Sequence, residues 1–92
     1  MAIEFEWDAA KAKTNLGKHS ISFEEATSAF YDALSMTIPD PDHSVNESRF
    51  LLIGMTKSGR LVVVAHTDRV RRIRIINARR ATRHERVNYE KG

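Results

Sequence analysis

With 92 residues, 41% of them hydrophobic, and no cysteine, the chain has room for one small core, which excludes a disordered polymer, a disulfide scaffold and a thiolate zinc site. Its net charge of +3 conceals a division: residues 1–47 hold three lysines against nine acids, a net of −6, while residues 48–92 hold twelve basic groups against three acids, a net of +9. No run approaches the roughly 20 apolar residues of a spanning helix and the start MAIEFEWD is acidic where a signal peptide is basic, so a cytoplasmic protein without a membrane partner is expected.

Residues 2–7 alternate Ile3, Phe5 and Trp7 against Glu4 and Glu6, the period of an edge strand with one buried face. Asp8 stands at the N-cap of a first helix, which Gly17 is expected to end. Ser22 and Glu25 have the spacing of a capping box, with Ile21 and Ala26 placed as a staple. The second helix then runs to residue 30 and turns Phe23, Ala26, Thr27 and Phe30 to one side. Trp7, Phe5, Phe23 and Phe30 read as core. Residues 33–47 hold both prolines among Asp40, Asp42, Ser44 and Asn46 and form a loop, with a short strand at residues 35–38. Turn chemistry accounts for Asp40, Asp42 and His43 better than a metal cluster does.

Strand-like runs at residues 49–56 and 60–67 are joined by Lys57, Ser58 and Gly59 as a hairpin. The apolar run LVVVA in the second is that of a central strand covered on both faces. Asp68 and Arg69 make the next turn. In residues 71–76, Ile73 and Ile75 point one way while Arg72 and Arg74 point the other. Asn77 then caps a last helix from residue 78 to about residue 89, on which Val87 and Tyr89 pack against the core or a partner. The order implies an α+β class: an antiparallel sheet of four to five strands, two N-terminal helices on one face and a C-terminal helix, forming one domain over residues 1–92.

From residue 69 to residue 86 the chain reads RVRRIRIINARRATRHER, with eight arginines and one acid, Glu85. Arginine keeps its proton and its planar fork matches two phosphate oxygens, so an array held on folded structure points to a polyanion. FEWDAAKAKTNLGKHSISFEEA near the start, Glu47 to Arg49, the GR-LVVV-HT-R pattern of residues 59–69 and IRIINARRATRHERVNYE near the end resemble the BrnT toxins of bacterial and archaeal type II toxin–antitoxin systems. The resemblance covers nearly the whole chain. Two departures are visible: Asn77 stands where family members often have Ser, and Asp32-Ala33 stands where they often have Asp-Pro. The resemblance implies a RelE-like fold, cleavage of RNA without metal or other cofactor, and silencing by a BrnA-type antitoxin. That antitoxin is expected to be a ribbon-helix-helix protein, to form a heterotetramer with two toxins if dimeric, and to be the only route to DNA.

Metal-free RNA cleavage uses the 2′-hydroxyl as nucleophile and needs a base, an acid for the leaving 5′-oxygen, and cations around the phosphorane. The catalytic candidates are Lys18, His19, Glu47, His66, Arg74 and Arg79. Lys18 and His19, which the resemblance makes a family feature, either react or orient the corner between the first two helices. Glu47 is either the base or the partner of an arginine. His66 ends the central strand, placed to meet Arg69 and Arg74, and competes with the commoner role of a hydrogen-bonded structural histidine. Arg74 sits on the polar side of its strand, and Arg79 opens the last helix. The phosphate-binding candidates are Arg49, Arg69, Arg72, Arg80 and Arg83. The four histidines lack HExxH-type spacing, so no metal site is expected. Two other readings compete with the ribonuclease: a binding module that holds RNA or a partner without cutting, and a degenerate toxin kept in a repressor complex. The histidine, glutamate and lysine candidates favour cleavage, since phosphate binding alone needs only the cations.

Overall fold

In the computed structural model, which describes residues 3–44 and 47–92, the sheet grows around β4 (Leu61–Arg69), buried from Leu61 to Thr67. Such a run needs cover on both faces. β4 pairs antiparallel with β3 (Arg49–Met55) on one side and β5 (Arg72–Arg80) on the other, and β3 pairs antiparallel with β2 (Met36–Pro39). β1 (Phe5–Glu6) joins the free side of β5 in parallel, giving the order β1-β5-β4-β3-β2. The sheet is therefore mixed, not wholly antiparallel: between β1 and β5 the chain crosses over through helices and hairpins and returns in the direction in which it began. The predicted strand start at Ala2 and the loop position Asn46 lie outside the described residues.

Helices α1 (Ala9–His19) and α2 (Phe23–Ser28), with a 3-10 turn at Ala29–Tyr31, belong to one face of the sheet, where Ile21, Phe23, Ala26 and Ala29 pack on Val62, Val64, Ile75 and Ala78. Trp7 meets Phe23 and Phe5 meets Phe30 edge-on at centroid separations of 5.8 and 5.1 Å, so the four aromatic residues join the core as expected. On the other face Ile53, Leu61 and Val63 pack with Met36, Leu51, Met55, Ala81 and Tyr89 of α3 (Arg83–Lys91). No helix among the described residues is long and apolar enough to cross a membrane.

Local chemistry explains where the element boundaries differ from expectation. Asp8 caps α1 through the Ala10 and Lys11 amides at 2.8 and 3.1 Å. Gly17, however, does not end the helix. An exposed mid-helix glycine costs only about 0.5–1 kcal/mol, and the helix continues to His19, where Ser20 adopts φ 59° and donates its amide to the Leu16 carbonyl. Gly59, at φ 87°, turns the β3–β4 hairpin as anticipated. The next turn lies at Val70 and Arg71 rather than at Asp68 and Arg69, because the β4–β5 ladder continues until Arg69 faces Arg72.

The capping box at α2 is half made. Ser22 accepts the Glu25 amide at 2.9 Å, but the Glu25 carboxylate turns away to Arg60, Thr56 and Ser58, tying α2 to the β3–β4 hairpin. The Arg60 guanidinium, against the cost of burial and with help from Ser58 and Thr56, holds the Glu25 carboxyl down at about 2. A depressed carboxylate stabilises the fold above its ordinary value near 4.5 and loses that contribution as pH falls toward 2. Melting followed by circular dichroism should therefore show a steep fall in wild-type stability across that window. The Glu25→Gln variant should begin lower and fall less; parallel curves would refute the assignment.

The last helix differs most. Asn77 caps nothing: residues 77–80 extend β5, and α3 begins at Arg83. Thr82 is the cap, with its hydroxyl accepting the Glu85 amide at 3.2 Å while its own amide donates to Glu85 Oε1 at 2.8 Å. This reciprocal box is a stronger start signal than a lone asparagine, and β4 offers a continuous ladder to the residues before it.

Candidate active site

A β-bulge decides which arginines stand together. His66 faces Ile75 while Ala65 faces Asn77, leaving Ile76 as a surplus residue in β5. Unbroken alternation would divide Arg74 from Arg79, five positions on. The bulge absorbs one position, so Arg72, Arg74, Asn77 and Arg79 all lie on the face opposite α1 and α2.

The same stretch has a free edge, because β1 pairs with β5 only at Ile73 and Arg74. α1 closes it. The buried Asn15 side chain accepts the Ala78 amide at 3.0 Å and donates to the Ala78 carbonyl at 2.9 Å, as a neighbouring strand would, and donates again to the Ile21 carbonyl. Between helix and strand edge lies an open groove of about 480 Å³ lined by Lys11, Thr14, Lys18 and His19 of α1 and by Ile76, Asn77 and Arg79 of β5. Lys18 and His19 occupy the last turn of α1, where the helix dipole favours positive charge.

Arg79 is held in place before any ligand arrives. Its two terminal nitrogens donate to the two oxygens of Glu85 at 2.8 Å each. Glu85, also bonded to the Thr82 amide, is held down at about 2 chiefly by Arg79, against burial. One carboxylate thus starts α3 and fixes the guanidinium. Of the five guanidinium N–H groups, the Nε–H is among those left for a ligand.

Residues 7–85 match the model of the family described as the ribonuclease toxin, BrnT, of type II toxin–antitoxin systems. The chain belongs to the BrnT family. Membership makes it a ribonuclease toxin of a type II system, with endoribonuclease activity. The crystal structure of the Brucella abortus ribonuclease toxin BrnT, at 1.1 Å resolution, is similar in fold: TM-score 0.63 and 22% identity, over 89% of this chain and 100% of that one. No curated protein matches the chain by sequence.

Of the predicted catalytic residues, this BrnT-family chain brings Lys18, His19 and Arg79 to one groove and places the other three elsewhere. His66 lies on the α1–α2 face, 3% exposed, between Phe30 and Phe50 at centroid separations of 4.9 and 5.9 Å. It cannot meet Arg69 and Arg74, which point from the opposite face, and burial pushes its imidazole below the ordinary value. Glu47 pairs with Arg69 at 2.9 Å, and Arg74 with Glu6 at 2.9 Å. Among the phosphate candidates, Arg72 also approaches Glu6, at 3.8 Å, and Arg49 lies 3.9 Å from Asp40. Arg80, in β5 and not in a helix, faces Val62 on the α1–α2 side, and Arg83 is exposed in the first turn of α3.

Lys11 and Asn15 escaped the sequence reading. The spacing of Lys11, Thr14, Asn15 and Lys18 marks one side of a helix and would have grouped them. Asp32, where the relatives' Asp-Pro is interrupted, still orders its turn: it accepts the Leu34 amide at 3.0 Å, the Met55 amide at 2.8 Å and the Tyr89 hydroxyl at 2.6 Å. The last bond raises the tyrosine to about 12 and anchors α3.

Proposed function

We propose that this BrnT-family ribonuclease cuts RNA without a metal ion in the groove between α1 and β5. The observation that carries the reading is the convergence of Lys18 and His19 with Arg79, from opposite ends of the chain, on one open groove. In the reaction the 2′-oxygen bonds to phosphorus and the bond to the 5′-oxygen breaks, leaving a 2′,3′-cyclic phosphate. His19 moves a proton at one of these oxygens. Imidazole can both accept and donate a proton, and the half-buried His19 ring lines the groove. Lys18, Lys11 and the unspent donors of Arg79 stabilise the charge that builds on the phosphorane. Glu47, already engaged by Arg69, serves as an arginine partner.

A BrnA-type ribbon-helix-helix antitoxin is the partner this reading calls for. It would cover the cationic face, form a heterotetramer if it is itself a dimer, and provide the contact with DNA. A RelE-like fold and a cytoplasmic location complete the proposal.

The test is to incubate the purified protein with RNA in the presence of EDTA and map the product ends. Cyclic phosphate or 3′-phosphate ends are expected, and their loss in Arg79→Ala protein that keeps its fold would support the assignment. RNA that stays intact at high protein concentration would overturn it in favour of the non-catalytic binding module.

A further inference from the structure

The face that carries Arg74 and Arg79 also holds two polar atoms without partners. Arg49 faces Thr67 across β3 and β4, and Thr67 faces Arg74 across β4 and β5, so the three side chains form one row over three strands. Thr67 is 3% exposed and its hydroxyl makes no hydrogen bond among the described residues. The same holds for Arg49 Nε, whose neighbour Asp40 is too far, at 3.9 Å, for a hydrogen bond. Buried polar groups are seldom left unsatisfied without a reason. Both atoms are donors, they belong to neighbours in register, and cationic side chains adjoin them: Arg74 in the row, Arg69 and Arg72 in the next. Both atoms are closed off from solvent while the arginines around them keep their carboxylate neighbours, so an acceptor meets them only as those pairs exchange.

We propose that Arg49, Thr67 and Arg74 form a second phosphate subsite, which takes a backbone phosphate of the RNA other than the one in the α1–β5 groove. The inference rests on the reading of RNA as the ligand. Because the bulge puts Arg74, Asn77 and Arg79 on one face, a strand leaving the groove at Arg79 reaches the subsite without crossing the sheet. The arginines of this face are already partly paired with Glu6, Glu47 and Asp40, so a phosphate here exchanges carboxylate partners for its own oxygens. The Thr67 hydroxyl and the Arg49 Nε–H are the groups that no side chain among those described satisfies.

The test separates this subsite from the cleavage reading. Thr67→Val keeps shape and β-branching while deleting the hydroxyl, and Thr67→Ser restores it. On a single-stranded RNA decamer Thr67→Val should raise KM about tenfold, the loss expected for one hydrogen bond to a charged group, with kcat kept. On a dinucleotide, whose single phosphate cannot occupy both places, kcat/KM should stay within about twofold, a margin small beside that loss. Binding of a 2′-deoxy decamer, which has no nucleophile to cleave it, should weaken in Thr67→Val. In Arg49→Ala its log affinity should fall with log salt by about 0.7 less per decade. If the protein cuts nothing but the deoxy decamer still shows these losses, the subsite stands and the cleavage reading fails. Unchanged binding of the decamers by Thr67→Val, or an equal loss on the dinucleotide, would overturn the subsite.

Discussion

Replacing His19 by alanine is expected to slow RNA cleavage roughly 10²–10⁴-fold, the range a positioned acid or base supplies, while RNA affinity changes several-fold at most. The argument is positional. His19 lies in the last turn of α1 and shares its groove with Lys18 and Arg79, whereas His66 is buried between Phe30 and Phe50 and does not line that groove. Single-turnover rates and equilibrium binding on one RNA give the comparison directly. A His19→Ala protein that loses rate and affinity in equal measure would reassign the ring to binding. His66→Ala serves as the contrast. It should lower the melting temperature, and its activity should return to near wild type when measured well below that temperature.

The largest effect on stability is expected at Asn15. In Asn15→Ala the amide and carbonyl of Ala78 and the carbonyl of Ile21 lose their partner. Each unmet buried group costs about 1–3 kcal/mol, so losing all three should cost roughly 3–9 kcal/mol from a total that for small domains is about 5–15 kcal/mol. Urea unfolding measures this as a lower midpoint with an unchanged slope. Asn15→Asp should be no more stable than Asn15→Ala, because it keeps an acceptor for the Ala78 amide but sets a buried carboxylate oxygen against the Ala78 and Ile21 carbonyls. A loss below about 1 kcal/mol in Asn15→Ala would mean that water or α1 itself replaces the bonds, and the account of the strand edge would then be wrong.

Much of this architecture is legible in the residues because period and capping are local. Asp8, Ser22 and Gly59 declare their turns, and the run from Leu61 to Ala65 declares the central strand. The start of the last helix is not legible, because Asn77 has the right chemistry for a cap but lies on a strand whose length is set by its partner, β4. The parallel pairing of β1 is equally non-local. At the site, Lys18, His19 and Arg79 carried a recognisable chemistry, yet nothing in the spacing said that His66 would turn inward. That depends on the parity of β4, fixed once Val62 and Val64 take the α1–α2 side. Asn15 is invisible for another reason: an asparagine that replaces a strand is identical in sequence to one that faces water.

The surplus residue at Ile76 gives β5 something that β4 lacks, namely slack in chain length. Arg74 and Arg79 are five positions apart in sequence but only four apart in the ladder. A deletion of Ile76 would straighten the strand and leave every later side chain on its present side. The same loss at Val64, where the ladder has no residue to spare, would turn the remainder of β4 over, sending His66 outward and Thr67 into the core. Shortening should accordingly be tolerated at one point of this sheet and ruinous a single strand away.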